Sequence, residues 1–176
     1  MPMTVNDYFA HFISQLHGWY RDSLADLTDE QLYFRPAGEG NHIAFQAWHF
    51  IRTKDNVINF VLQDRKAPLW MRQNLHEEWG MPKVAQGTGM EPAEAHALRI
   101  PSIDALLKYA DEVHADVMPW VESVSSDDLQ VIHKLVPWGE LPAMQHVGQT
   151  IVAHGNQHLG QINALRAIQG LKSEDF

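Results

Sequence analysis

Apolar residues at Phe9, Phe12, Ile13, Leu16, Trp19, Tyr20, Leu24 and Leu27 recur at intervals of three and four, which places them on one face of a helix running from about Tyr8. Thr28 with Gln31 three residues later is a capping-box pattern that starts a short second turn, which Pro36, Gly38 and Gly40 break up. Asn41 is placed to cap a second long helix through NHIAFQAWHFIRTKDNVINFVLQ, with Ile43, Ala47, Phe50, Ile51, Val57, Ile58 and Val61 as its broad apolar side. Residues 64–100 hold Pro68, Pro82, Pro92, Gly87 and Gly89 together with Trp70 and Trp79, and sustain no period. A crossover of this length is either functional or carries short helices of its own. Pro101 and Ser102 open a third helix, whose stripe is Ile103, Leu106, Leu107, Ala110, Val113, His114, Val117, Val121 and Val124. The segment VIHKLVPWGELP alternates and turns as a small extended piece does. Pro142 then takes the first position of a final helix. There Met144, Val147, Ile151, His154, His158, Ile162, Leu165 and Gln169 share a face, and Gly170 is the stop.

Four amphipathic helices with strand-poor connections predict an all-α fold: a four-helix bundle with a long crossover connection between helices two and three, forming one domain over residues 1–176. The 176 residues suffice to bury a sizeable core, and 45% of them are hydrophobic, the proportion of a globular chain. A formal net charge of −9, with no clustered stripe of Lys and Arg, argues against nucleic acid as a partner. The opening twenty residues carry Asp7 and no positive segment before an apolar one, so they do not read as a signal peptide. No apolar run approaches the roughly 20 residues that span a bilayer. The expectation is a cytoplasmic protein with no membrane partner. Cysteine is absent, so any metal ligands come from His, Asp, Glu or water, and any thiol comes from outside the chain.

Among the 11 histidines, His154 and His158 stand out because they are four apart and therefore stack on one helical face, on the apolar stripe. A buried imidazole needs a hydrogen-bond partner or a metal. The two readings are a pair of satisfied core histidines and a pair of ligands to one ion, whose bonds would be about 2.0–2.1 Å long. HGNQH matches the H-E-x-x-H of zinc proteases at both ligand positions, but Gly155 stands where that chemistry needs a glutamate. A di-iron bundle needs two E-x-x-H motifs; one match, Glu39 to His42, lies in a Gly-rich stretch without a second copy. His114 reads as a core or pocket residue. His11, His17, His76, His96, His133 and His146 have no partner at ligand spacing. Asp55 reads as a charge on a solvated helix edge, and Trp70, Trp79 and Trp138 as pocket-mouth or bundle-end residues.

HIAFQAWHFIRTKD, VAHGNQHLGQI and the helical layout around them resemble the DinB/YfiT-like family of metal-binding four-helix bundles, nearly throughout the chain in order and spacing. In that family one His on helix two and an H-x-x-x-H pair on the last helix hold a divalent ion, nickel or zinc. The resemblance implies His49, His154 and His158 as ligands, with His42 as the competitor on helix two. Periodicity does not itself select His49, which falls at the edge of the apolar side with Phe45, Asn56 and Phe60. The family's frequent H-R-G-Q is departed from at Leu159. Gln161, one turn beyond His158, is placed to orient an imidazole.

Three protein nitrogens leave a coordination position open, as in catalytic metal sites. Members of the resembled family include transferases and isomerases that use low-molecular-weight thiols. The leading expectation is therefore a metal-dependent thiol transferase or related enzyme acting on a small-molecule substrate with an external thiol. Metal-dependent hydrolysis and a non-catalytic, stress-related metal- or ligand-binding protein are the alternatives; the last predicts no general base such as Glu140 near the open position. The resemblance also implies a homodimer.

Overall fold

A computed structural model describes residues 2–38 and 40–172; Glu39, and with it the E-x-x-H pattern, lies outside them. Helix α1 (Val5–Leu24) opens one turn earlier than the apolar stripe suggests. Thr4 and Asp7 form a capping box, the Asp7 amide donating to the Thr4 hydroxyl and the Thr4 amide to the Asp7 carboxylate. The Thr28–Gln31 box does start a short helix, α2 (Asp29–Leu32). The next helix, α3 (Ile43–Asp55), is capped by His42, not Asn41: His42 Nδ1 accepts from the Phe45 amide at 3.1 Å. Helix α3 continues into a π-helical stretch, Asn56–Val61.

The crossover carries short helices α4 (Leu69–Arg72), α5 (Leu75–Glu78) and α6 (Pro92–Ala97). Helix α7 (Ile103–Ser123) starts at Ser102, whose hydroxyl accepts from the Ala105 amide at 3.0 Å. The extended piece is a hairpin, β1 (Ile132–Leu135) against β2 (Gly139–Pro142), antiparallel with Leu135 opposite Gly139. The last bundle element is α8 (Ala143–His146), a second π-helical stretch Val147–Ala153, and α9 (His154–Ile168).

Helix α1 packs against α7 and α9, and α3 packs against the same two from the opposite side, so the bundle is a ring of α1, α7, α3 and α9. Phe9, Ile13, Leu16, Ile51, Val113, Val117, Ile151 and Ile162 fill its centre. Every residue of α3 is buried, because the crossover covers the side that the bundle leaves open. That burial overturns the reading of Asp55 as solvated. Its carboxylate accepts from the Leu69 and Trp70 amides at 2.9 Å, the first two of α4, and from the Tyr109 hydroxyl at 2.7 Å. Arg52 lies 3.7 Å from the same carboxylate and over the Trp70 ring. Asp55 thus pins the crossover to α3. Trp70 and Trp79 are core residues, not rim residues. No helix among the described residues is long and apolar enough to cross a membrane.

Candidate metal centre

The site forms where α3 faces the start of α9. His49 Nε2 lies 3.2 Å from His154 Nε2, which lies 2.9 Å from His158 Nε2. All three ligand atoms fall within 4.8 Å of one another, and they form the one such His, Cys, Asp or Glu group among the described residues. Bonds of about 2.0–2.1 Å to one ion would set cis nitrogens about 2.9 Å apart at 90° and about 3.3 Å apart at the tetrahedral angle. Both nearest separations fall in that interval. The competitor His42 is spent as the cap of α3 and takes no part.

What surrounds the rings decides which atoms converge. His49 Nδ1 donates to the Gln86 carbonyl, delivered by the crossover. His158 Nδ1 shares its proton between Gln46 Oε1 at 2.6 Å and Gln161 Oε1 at 2.9 Å. With Nδ1 protonated in both, their Nε2 atoms carry bare lone pairs aimed at His154 Nε2. One proton on His154 would satisfy one neighbour only. A cation accepts all three lone pairs at once. Burial reinforces neutrality: it lowers the pKa of His49 to about 4, with the Gln86 carbonyl opposing, and that of His158 to about 3, helped by the other two rings. His154 is lowered by burial, with the Thr150 backbone opposing. The donor set is three neutral imidazoles, which suits a divalent transition-metal ion.

Two glycines make room for this arrangement. A Cβ on Gly155 would lie 2.4 Å from Leu16 Cδ2 and 2.6 Å from Phe50 Cε2, so this position is the tight contact of α9 with α1 and α3. The Tyr20 hydroxyl donates to its carbonyl at 3.0 Å. A protease-like glutamate has no space here. Gly87, at φ +100°, sits where a Cβ would lie 2.9 Å from His49 Nδ1, so the crossover closes directly on the ligand ring. The buried ridge of the last helix runs Ile151, Gly155, Leu159 and Ile162, with the histidines beside it and half-buried. Leu159 is therefore core.

A model of the DinB superfamily matches residues 15–162. The chain belongs to the DinB superfamily. A crystal structure described as the conserved protein of locus from Enterococcus faecalis shares this DinB fold at TM-score 0.81 and 19% identity, covering 96% of this chain and 99% of that one. At that identity the likeness is one of fold. No curated protein matches the chain significantly. Superfamily membership and the three-histidine group together support metal binding.

On its open side the triad faces a cavity of about 320 Å³, walled by Leu135, Val136, Pro137 and Trp138 of the hairpin and floored by Thr53 and Thr150. Trp138 thus lines the pocket. Neither carboxylate nor Lys nor Arg lines it among the described residues, and Glu140 is exposed on β2 outside it. Sequence reasoning reached Gln161 but missed Gln46, Gln86, Thr53 and Thr150. Gln46 and Thr53 flank His49 at spacings of three and four, and Thr150 precedes His154 by four, a signal available once the ligands are assumed. Nothing local points to Gln86.

Proposed function

We propose that His49, His154 and His158 hold one divalent ion, nickel or zinc, and that the protein is a metal-dependent S-transferase or related enzyme acting on a low-molecular-weight thiol and a small electrophile. The carrying observation is the convergence of three imidazole nitrogens on a common centre, two of which, on His49 and His158, have Nδ1 partners that leave their Nε2 lone pairs pointing at it. When bound, the ion would hold a thiol's sulfur and lower its pKa.

The external thiol is supported by charge. Three neutral rings leave a divalent ion uncompensated, and the described cavity wall offers no anion of its own. An anionic sulfur supplies it. In the transfer, the thiol loses its proton, a sulfur–carbon bond forms, and the leaving group departs with the bonding pair and takes up a proton. In an addition, that proton ends on carbon. The chain's part is to orient the rings through Gln46, Gln86 and Gln161, and to shield the reacting centre behind the apolar hairpin wall. Hydrolysis is less well supported, because no carboxylate base lines the cavity among the described residues.

Elemental analysis of protein purified without an affinity tag should show about one equivalent of nickel, zinc or a similar ion, falling sharply in His49→Ala and His154→Ala. Loaded protein should then consume thiol in the presence of electrophiles across a broad panel. Protein that takes up no ion refutes the site. Protein that holds the ion without thiol consumption refutes the reaction while leaving the site intact.

A further inference from the structure

Two hydroxyls beside the triad have no partner within the protein. Thr53 lies one turn past His49 on α3, and Thr150 lies four residues before His154 in the π-helical stretch. Only 3% and 2% of their surfaces are exposed, and neither Oγ1 makes a hydrogen bond. A buried helical threonine ordinarily returns its hydroxyl to the carbonyl four residues back, and neither does so here. Both line the cavity onto which His49, His154 and His158 open. Leu135, Val136 and Pro137 of the hairpin offer them no polar side-chain atom, and no polar group of the lining bonds either hydroxyl. Buried hydroxyls left unmet are destabilising, so their natural partner is a ligand atom in the cavity.

We infer that Thr53 and Thr150 are positioning residues whose hydroxyls donate, one from α3 and one from the π-helical stretch, to the anionic atom that takes the open coordination position over the three histidines. The inference rests on the metal site proposed above and gives its ligand a second set of contacts. A thiolate sulfur accepts such bonds, and no ammonium or guanidinium among the described lining residues competes for it. Gln86 Oε1, also buried without a partner, is an acceptor and so does not hold an anion. Two donors from different elements restrict where the sulfur's remaining lone pair points. That direction sets the approach of the electrophile.

The test uses Co²⁺-loaded protein, titrated separately with 2-mercaptoethanol and with azide, following the cobalt absorption bands. Thr53→Val and Thr150→Val should each raise the apparent Kd for 2-mercaptoethanol by about tenfold, the effect of losing one bond to a charged group. Thr53→Ser and Thr150→Ser should recover most of it. Cobalt stoichiometry should match the unaltered protein in all four variants, and the Val variants should melt no lower without metal, having lost an unmet hydroxyl.

Equal affinity of the Val variants and the unaltered protein for both probes overturns the inference. So does a failure of the Ser variants to recover binding, which would assign the effect to shape, or a loss of cobalt, which would assign it to support of the ligands. If the unaltered protein shows no sulfur-to-cobalt band with thiol but binds azide, and the Val variants weaken azide, the thiol reading falls and the hydroxyl role stands.

Discussion

Replacing Gly155 by alanine puts two opposed effects on one residue. Inside a helix, alanine is favoured over glycine by about 0.5–1 kcal/mol, so propensity alone predicts a stabilised protein. The added Cβ would meet Leu16 Cδ2 at 2.4 Å and Phe50 ring carbons at 2.6 and 2.7 Å. Ordinary carbon contacts lie at about 3.5–4.0 Å, so each neighbour must retreat by roughly an ångström. Neither has free space to enter: Leu16 is 1% exposed and Phe50 2% exposed, and the Phe50 ring stacks on Tyr20 at 4.7 Å. Overpacking of this kind costs about 1–3 kcal/mol, and three contacts at once belong in the upper part of that range. The net expectation is a destabilisation of about 1–2 kcal/mol. Gly160 is the internal control, on the same helix with nothing within 4 Å of its added Cβ, and Gly160→Ala should stabilise by about 0.5–1 kcal/mol. Urea denaturation of both variants without metal, at matched m values, reads the difference. Because His154 adjoins the displaced backbone, Gly155→Ala should also hold less metal. A Gly155→Ala protein as stable as Gly160→Ala would refute the claim that this glycine sets the helix contact beneath the site.

Three further outcomes follow from the surroundings of the site. Gln46→Leu removes one of two acceptors from His158 Nδ1 and should weaken metal binding by about tenfold in chelator competition, with Gln46→Leu/Gln161→Leu weaker by about a hundredfold; unchanged affinity in the double variant would mean the glutamines do not orient the ring. Asp55→Ala leaves Arg52 buried without its counter-charge and frees the first amides of α4, so a loss of about 3–5 kcal/mol is expected in urea, with a crossover more open to proteolysis. His17 and His114, stacked at 4.2 Å, have pKa values lowered to about 4 and about 3, first by burial and then by Lys54, with Asp111 opposing. The unfolded chain takes up their protons near pH 6.5 and the folded one does not. Their contribution is therefore whole above that pH and is lost as pH falls towards 4 and 3. The metal-free protein should lose stability between pH 6.5 and 4, and His114→Gln should lose less; equal slopes would show that His114 titrates normally in the fold.

The helical class of this protein was legible because α1 and α7 each bury one stripe and expose the rest, and a 3.6-residue period survives such one-sided burial. The caps at Thr28 and Ser102 are local chemistry and were legible for the same reason. The pair His154 and His158 was legible as a spacing. It was misplaced by about one position relative to the core, since the π-helical stretch Val147–Ala153 shifts the phase of the face that follows and puts Gly155 and Leu159 on the buried ridge. His49 was beyond periodicity altogether. On a helix buried on every side, Gln46, His49, Arg52 and Asp55 are as enclosed as Ile51, and no apolar edge remains to mark the ligand.

By itself the sequence determined what depends on neighbours within a turn or two: the long helices, the caps at Thr28 and Ser102, the extended piece before the last helix, the absence of cysteine and the stacked histidine pair. The tertiary structure decided what depends on segments far apart in the chain. It brought His49 to His154 across 105 positions and the Gln86 carbonyl to His49 across 37. It also left Thr53 and Thr150 without partners beside them. Local pattern records the burial and hydrogen bonding that a helix imposes on its own residues. Where a lone pair points is set by the group packed against the other side of the ring, and that group arrives only when the chain has closed.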